Sequence, residues 1–262
     1  GRAGALVLVA DGPGALPGRA LYLPADGPHL GTLGGHPELD RTAAGEARAL
    51  LAAGRSAPVV IGAEGSRCGE PVTLLVQSCL PPPRLLVFGA ADFAAALTRA
   101  GRFLGHRVTV CDARPVFATP ERFPEAQEVR TDWPHRYLDR QWAAGLLDRR
   151  TAVCVLTHDA KFDVPLLVRA LRLPLAYVGA MGSRRTHEDR LRRLRAAGLG
   201  EAELARLRSP IGLDLGARTP EETALSITAE IVALRHGGTG RPLTTLTGPV
   251  HPHRAPAPAA LR

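Results

Sequence analysis

Short apolar runs alternate with amphipathic segments between residues 84 and 236. The apolar runs predict buried strands over 84–88, 107–111, 151–157 and 173–178. Helical spacing recurs between and after them, over 91–104, 134–147, 164–171 and 186–197. Such alternation is typical of a parallel sheet with helices on both faces. We therefore predict the α/β class, with a doubly wound, Rossmann-like parallel sheet in this part of the chain.

Residues 1–80 have a different pattern, with shorter apolar runs and more frequent glycine and proline turns. Strands are predicted over 5–9, 20–23, 29–33, 58–61 and 72–77. One helix is predicted over 38–53 and ends at Gly54. These elements predict a smaller N-terminal α+β domain.

Three consecutive prolines at 81–83 mark the expected domain boundary, because such a run forms a stiff and extended linker. The second domain then covers 84–236. Its last helix is predicted to start after the capping residue Thr219 and to stop at Gly237. Residues 237–262 are rich in Gly, Pro, Thr, His and Arg without any period, and we expect a disordered tail there.

Composition narrows the classes of partner. Of the 262 residues 45% are apolar, but no run approaches the ~18 apolar residues of a membrane span. No charged-then-apolar signal segment is present, so a cytoplasmic protein without membrane contact is expected. The formal net charge of +8 favours anionic partners. Aromatic residues make up only 4% and no stacking motif accompanies the arginines, so nucleic acid is not an expected partner.

Familiar catalytic and metal-binding patterns are missing from the sequence. None of the four cysteines stands in a C-x-x-C pair, which argues against a zinc knuckle or a redox dithiol. There is neither a G-x-S-x-G elbow nor an H-E-x-x-H helix. We therefore assign no catalytic residue and no metal ligand, and a hydrolase is disfavoured.

The stretch 177–187 contains the clearest candidate binding element. An apolar run breaks into the turn Gly179-Ala-Met-Gly182, Ser183 is placed to cap the following helix, and Arg184 and Arg185 stand at its start. Strand, glycine turn and helix together direct free backbone N–H groups at an anion. The alternative is an ordinary tight turn with two solvated arginines.

The first strand of the second domain leads into a partial dinucleotide fingerprint. Gly89 and Ala94 fit G-x-G-x-x-[GA], whereas Ala91 replaces the middle glycine, which normally lets the backbone approach a pyrophosphate. Asp112 ends the next strand, where an acid that binds ribose would lie. The alternative is a βαβ unit that packs and binds nothing.

Two further loops carry polar candidates. Thr157-His158-Asp159 follows the strand predicted over 151–157; His158 is a candidate acid, base or ligand donor, and Asp159 could orient it or cap the next helix. Asp214, between two glycines, could accept a bond from a pterin or purine N–H, or pair with Arg218. Because loops at the carboxyl ends of parallel strands line one crevice, we expect Gly89, Asp112, His158 and Gly179 to converge there.

Several motifs, taken together and in this order, resemble the xanthine dehydrogenase accessory factor family, XdhC/CoxI. The resemblance covers roughly residues 84–236 and is thinner over 1–80. The motifs are Leu85-Leu-Val-Phe-Gly-Ala, Val108-Thr-Val-Cys-Asp-Ala-Arg-Pro115, Phe117-Ala-Thr-Pro-Glu-Arg-Phe123, Leu156-Thr-His-Asp-Ala-Lys-Phe162, Tyr177-Val-Gly-Ala-Met-Gly-Ser-Arg-Arg185 and Pro210-Ile-Gly-Leu-Asp-Leu-Gly-Ala-Arg218.

The resemblance implies a maturation factor, more an accessory protein than a stand-alone enzyme. Members bind the molybdenum cofactor, a pterin that carries a phosphate and a dithiolene-held metal, and are associated with its sulfuration and its insertion into an apo-enzyme. The implied partners are a xanthine dehydrogenase-type molybdenum hydroxylase and a cysteine desulfurase, and a homo-oligomer is expected. The anion turn would suit the pterin phosphate or a nucleotide. An NAD(P)-dependent oxidoreductase and a non-catalytic interaction protein remain the alternatives.

The sequence departs from the family pattern in three places. Gly34-Gly35-His36 stands where the family has Gly-Gly-Cys, and Cys68-Gly69-Glu70 stands where it has Cys-Gly-Gly. Imidazole is a harder ligand than thiolate, so His36 is a poor substitute for binding molybdenum. The third departure is Ala91, whose methyl group is expected to hinder dinucleotide binding.

Overall fold

The computed structural model describes residues 3–66, 68–248 and 250. The chain divides into two compact units, Gly1–Pro82 and Pro83–Arg262. Of the tail predicted over 237–262, residues 249 and 251–262 lie outside the described residues, and the described part contains one short 3-10 turn at Leu243–Thr245. The disorder of the tail stays a prediction. Within the described ranges no helix is both long enough and apolar enough to cross a bilayer.

The N-terminal unit is a five-stranded antiparallel sheet with one helix packed on it. The sheet has the order β3-β2-β1-β5-β4, and α1 packs on β1, β5 and β4. A shared core of small and branched apolar side chains lies between helix and sheet. The elements are β1 Gly4–Asp11, β2 Ala20–Pro24, β3 Leu30–Thr32, α1 Pro37–Ala52, β4 Ala57–Gly62 and β5 Pro71–Cys79.

The C-terminal unit contains a six-stranded sheet in which every strand pair is parallel. Its order is β11-β10-β9-β6-β7-β8, which is the Rossmann order 3-2-1-4-5-6 read along the sheet. The predicted α/β class with a doubly wound sheet is confirmed. The strands are β6 Arg84–Phe88, β7 Arg107–Asp112, β8 Glu128–Thr131, β9 Ala152–Val155, β10 Tyr177–Ala180 and β11 Leu207–Arg208.

Helices cover both faces of this sheet, and each face has its own core. Side chains of α3, α4, α5 and α6 fill one core, and side chains of α2 and α7 fill the other. The central strands are therefore buried on both sides, as their continuous apolar runs indicate. The helices are α2 Asp92–Phe103, α3 Pro134–Ala143, α4 Ala160–Ala170, α5 Arg184–Ala196, α6 Glu201–Leu204 and α7 Pro220–His236.

Capping residues fix where the long helices begin. Thr219 accepts a hydrogen bond from the Glu222 N–H, and the Glu222 carboxylate accepts one from the Thr219 N–H, which completes the predicted capping box of α7. Gly237 ends α7 in the left-handed conformation at φ +72°. Ser183 caps α5 as predicted, but that helix starts at Arg184, two residues before its predicted start.

The strand predicted over 173–178 is wrong at both ends, since β10 covers Tyr177–Ala180. The segment before it turns instead of extending, because Arg206 donates to the carbonyls of Leu171, Leu173 and Leu175. Those carbonyls are thereby satisfied outside a strand ladder. The sequence patterns also miss the short elements β8, β11 and α6, which are too brief to show a period.

Candidate functional site

The loops that follow the parallel strands lie together at one edge of the sheet, the edge formed by the carboxyl ends of the strands. Strand order reverses between β6 and β9, so this edge contains a topological switch point, where ligands bind in open α/β sheets. The loops after β6, β7, β9 and β10 all emerge there. The candidate binding residues that the sequence predicts near these four strands lie in the loops, with two exceptions. Asp112 is the last residue of β7, and Gly179 lies inside β10.

Gly89 brings the loop after β6 against the loop after β9. Its φ is +105°, a left-handed conformation that L side chains rarely adopt. A Cβ at this position would lie 2.7 Å from Thr157 Cγ2 and 2.9 Å from the Thr157 backbone nitrogen. Gly89 is therefore required for close approach of two chain segments at the switch point.

Asp112 orients protein groups at this edge and has no lone pair left for a ribose. Its buried carboxylate accepts hydrogen bonds from the Ala90 N–H, and from the backbone N–H, Nε and Nη2 of Arg114, each at 2.9 Å. Burial alone would raise the pKa of the Asp112 carboxyl, but the bonds from Arg114 and Ala90 outweigh burial, so that the pKa lies below its ordinary value. The hydrogen bond to Asp112, and to a smaller extent the charge of Asp159, raise the pKa of the Arg114 guanidinium above its ordinary value.

A buried ion pair between α4 and α5 holds the loops after β9 and β10 in place. Arg190 of α5 lies 3.3 Å from the Asp163 carboxylate of α4, and both side chains are about 95% buried, at 4% and 5% exposure. Thr157 donates to Asp163, and Arg190 also donates to the Met181 carbonyl at 2.8 Å. Burial raises the pKa of the Asp163 carboxyl, whereas the bonds from Thr157 and Arg190 oppose that rise.

Sequence reasoning missed this pair, although one signal for it exists. Arg190 lies four residues before the buried Leu194, so both side chains belong to one face of the helix. A charged residue on a buried face requires a buried partner. Asp163 supplies that partner from the neighbouring helix.

The turn after β10 and the start of α5 form a cationic surface. Gly182 has φ +149°, and a Cβ there would lie 2.9 Å from Thr186 Cγ2. Ser183 Oγ accepts from the Thr186 N–H at 3.1 Å. Arg184 and Arg185 are exposed, and within the described part of the chain neither side chain has a hydrogen bond or an ion pair. The backbone N–H groups of Arg184 and Arg185 lie in the first turn of α5, where backbone N–H groups have no partner within the helix.

The loop after β9 contains two candidates with different roles. Asp159 caps α4, because its carboxylate accepts from the Lys161 N–H at 2.9 Å. That is the structural alternative for Asp159, and it explains why α4 begins at Ala160, earlier than predicted. His158 is exposed, and within the described residues its side chain has no hydrogen bond or ion pair.

Gly179 and Asp214 differ from the other candidates. Gly179 lies inside β10, where a Cβ would come within 2.6 Å of Ile211 and of the Tyr177 ring, so its role is packing. Asp214 is exposed in the loop after β11, and the alternative ion pair with Arg218 is not among the contacts of the described residues. Glu230 of α7 accepts from the Gly212 N–H at 2.9 Å and thereby holds this loop.

Contacts thus connect some of the predicted residues and not others. The loops of Gly89, Asp112, Asp159 and Gly182 are linked through the interactions described above. Ala91 is exposed at the N-cap of α2 and makes no side-chain cap. Within the part of the chain that the structure describes, no side-chain hydrogen bond or ion pair connects Asp214 to this set.

The N-terminal unit has a separate cleft of about 670 Å³. Its lining includes Gly34, Gly35 and His36, the segment that departs from the family's Gly-Gly-Cys, together with Arg19 and Glu64. His36 caps α1 through Nδ1, which accepts from the Glu38 N–H at 3.2 Å, so only Nε2 is left for a ligand. In residues 3–66, 68–248 and 250 no three His, Cys, Asp or Glu side chains are grouped to hold a metal ion.

The model of the XdhC Rossmann domain matches residues 85–231, which is more than half of the chain. The chain belongs to the XdhC family. The resemblance drawn from the motifs of residues 84–236 is therefore confirmed. The matched range contains the whole candidate edge and both halves of the Asp163–Arg190 pair.

Several named proteins are similar to this chain over different lengths. An uncharacterized protein of Escherichia coli, YqeB, is 30% identical over 245 residues, which are 90% of this chain and 44% of that protein. A protein of Bacillus subtilis named as a probable xanthine dehydrogenase subunit is 31% identical over 63% of this chain and 47% of its own length. The molybdenum cofactor insertion chaperone PaoD of Escherichia coli is 38% identical over 36% of this chain and 29% of its own length.

The chain therefore spans less than half the length of each of these curated relatives. Among solved structures, a crystal structure of a xanthine dehydrogenase from Bacillus halodurans superposes with a TM-score of 0.63. It is 24% identical, and the match covers 89% of this chain and 62% of the other. At this identity the likeness establishes the fold.

Proposed function

We propose that this protein binds the molybdenum cofactor as cargo and delivers it to an apo molybdenum hydroxylase of the xanthine dehydrogenase type. The observation that carries the proposal is the turn at Gly182, where Ser183, Arg184 and Arg185 leave N–H groups and two guanidinium groups uncommitted. The chaperone function named for PaoD and the xanthine dehydrogenase assignment of the Bacillus subtilis relative support it.

The phosphate of the cofactor is the group that these residues would recognise. Backbone N–H groups at a helix start favour an anion, and arginine adds charge-assisted hydrogen bonds. The buried pair of Arg190 and Asp163 would keep the turn rigid, because Arg190 donates to the Met181 carbonyl just before Gly182. The cofactor's own dithiolene holds the metal, so the protein has no need of a ligand cluster for it.

The proposed chemistry is retention and release, without turnover of a substrate by this chain alone. Sulfuration would then need a sulfur donor, for which a cysteine desulfurase is the proposed partner. We also propose a cytoplasmic location and a homo-oligomer.

Retention of the cofactor by the purified chain tests the proposal. The chain is mixed with free molybdenum cofactor, desalted, and assayed for molybdenum and for pterin fluorescence after oxidation. We expect both to remain with the protein, and the Arg184→Ala/Arg185→Ala variant to retain less. If the unmodified chain retains neither molybdenum nor pterin, the binding proposal is wrong.

The strand order of the sheet favours one second candidate, an NAD(P)-dependent oxidoreductase. Asp112 counts against it, because its four accepted hydrogen bonds would have to break before a ribose hydroxyl could bind. Nicotinamide absorbance or pterin fluorescence in the ligand bound to the purified protein distinguishes the two candidates.

A further inference from the structure

An exposed aromatic ring stands beside a guanidinium group in the loop after β7. The Phe117 side chain belongs to a residue that is 37% exposed. The guanidinium carbon of Arg114 lies over this ring, 4.3 Å from its centroid, which is a cation–π contact. An aromatic ring left accessible at the carboxyl edge of the sheet is available to a ligand.

Asp112 holds the Arg114 guanidinium in a fixed plane. Nε and Nη2 of Arg114 both donate to the Asp112 carboxylate at 2.9 Å, in the bidentate arrangement that fixes orientation as well as charge. The carboxylate is only 2% exposed, whereas the Arg114 side chain is 51% exposed. One edge of this flat cation is thus bound to Asp112, and about half of the whole Arg114 side chain remains exposed.

Arg122 fixes the other end of the same loop. It donates to the carbonyls of Phe117 and Ala90, each at 3.1 Å, and its guanidinium carbon lies 5.7 Å from the Phe117 centroid. Phe123 anchors the segment in the core at 2% exposure. The loop therefore presents Arg114 and Phe117 on a supported backbone, beside the start of α2.

We propose that Arg114 and Phe117 form a stacking platform for the planar heteroaromatic ring of the ligand. A guanidinium plane and a phenyl ring both stack on such rings, and a fixed orientation lowers the entropy lost on binding. The shared ligand chemistry is a pterin or a purine ring. This inference rests on the proposed function in one respect: it assigns a binding site to the ring of the same ligand whose phosphate is proposed to bind at the start of α5.

The spacing of the sheet sets the distance that one ligand would have to span between the two sites. β7 and β10 are separated by β6 and β9, and neighbouring strands lie about 4.8 Å apart, so the two loops are about 14 Å apart along the edge. A ring and a phosphate joined by a side chain can bridge part of that distance.

Binding of three small probes to the full chain tests the platform. The probes are pterin, adenosine monophosphate and inorganic phosphate, followed by pterin fluorescence or by calorimetry. The variants are Arg114→Lys, which keeps the charge and loses the plane, and Phe117→Leu, which removes an exposed ring. Arg130→Lys is the matched control, because Arg130 also pairs with an acid two residues earlier, Glu128, and is exposed.

We expect Arg114→Lys and Phe117→Leu each to weaken binding of a ring probe about five- to tenfold, and to leave phosphate binding unchanged. Arg130→Lys should change nothing. Binding of pterin alone identifies a pterin site. Binding of adenosine monophosphate that is tighter than binding of inorganic phosphate, and that Arg114→Lys and Phe117→Leu both weaken, identifies a purine site. Either result supports the platform. Thermal melting checks that each variant is folded.

Three results would each overturn the inference. The first is that the unmodified chain binds neither ring probe. The second is that Arg114→Lys and Phe117→Leu bind the ring probes as tightly as the unmodified chain, and the third is that all variants lose phosphate binding and ring binding in parallel. The cofactor-retention assay stands apart from these outcomes. Retention with unchanged ring affinity in the variants rejects the platform alone, and ring binding without cofactor retention rejects the proposed function alone.

Discussion

Removal of the two free arginines at the start of α5 is the sharpest perturbation of the proposed anion site. Arg184 and Arg185 are exposed, and within the described ranges they make no ion pair or hydrogen bond. The Arg184→Ala/Arg185→Ala variant therefore removes charge from the site without breaking an interaction of the fold. Its effect on ligand affinity reports directly on the site.

The expected magnitude follows from the number of contacts and from their exposure. A hydrogen bond from a charged donor contributes about 1.5–3 kcal/mol, and solvent exposure lowers that value toward about 1 kcal/mol. Two such contacts give a loss of about 2 kcal/mol or more, which is about thirtyfold in the dissociation constant. The backbone N–H groups and the Ser183 cap stay in place, so residual binding is expected.

Calorimetric titration with a pterin phosphate measures this loss, with urea unfolding as the check on stability. Arg192→Ala/Arg193→Ala is the control, because both residues lie on the same helix and pair with the exposed Asp189. The control carries the same net charge as the test variant. Equal affinity of test variant and unmodified chain, or equal losses in test and control, would show that Arg184 and Arg185 are ordinary solvated charges.

Three further predictions concern the rest of the edge. Arg190→Met should lower the free energy of unfolding by about 3–5 kcal/mol, because it leaves the Asp163 carboxylate buried without its partner, and urea denaturation checks this. Asp112→Asn should destabilise the protein most at neutral pH. Because the pKa of Asp112 is lower in the folded than in the unfolded protein, the ionised carboxylate stabilises the fold above the unfolded pKa of about 3.9, and this stabilisation is lost as the pH falls through the folded pKa. The free energies of unfolding of variant and unmodified protein, measured against pH, should therefore become equal in acid. NAD should bind weakly, and Ala91→Gly should tighten it; micromolar affinity of the unmodified chain would favour the oxidoreductase.

The sequence patterns predicted the architecture well wherever apolar runs were long enough to show a period. β6 was predicted at its observed bounds, Arg84–Phe88, and the cap of α7 at Thr219 was also correct. The start of β10 was not predictable, because Arg206, which takes the preceding carbonyls, lies about thirty residues further along the chain. Local patterns carry no information about such distant partners.

The candidate site shows the same division between local and distant information. The glycine turn and the Ser183 cap depend on residues next to one another, so the sequence predicted them. The role of Asp112 depends on the direction that Arg114 takes, and the Asp163 and Arg190 pair depends on how two helices pack. Both were settled by packing, which a single sequence does not display.

The central claim is that this protein delivers the molybdenum cofactor to a client hydroxylase. The direct test is reconstitution of an apo xanthine dehydrogenase-type enzyme at a fixed concentration of free cofactor, with and without this protein. We predict that recovered hydroxylase activity rises when the protein is present and falls back with Arg184→Ala/Arg185→Ala. The same recovered activity with and without the protein, across molybdenum hydroxylases from the same source, would contradict the claim.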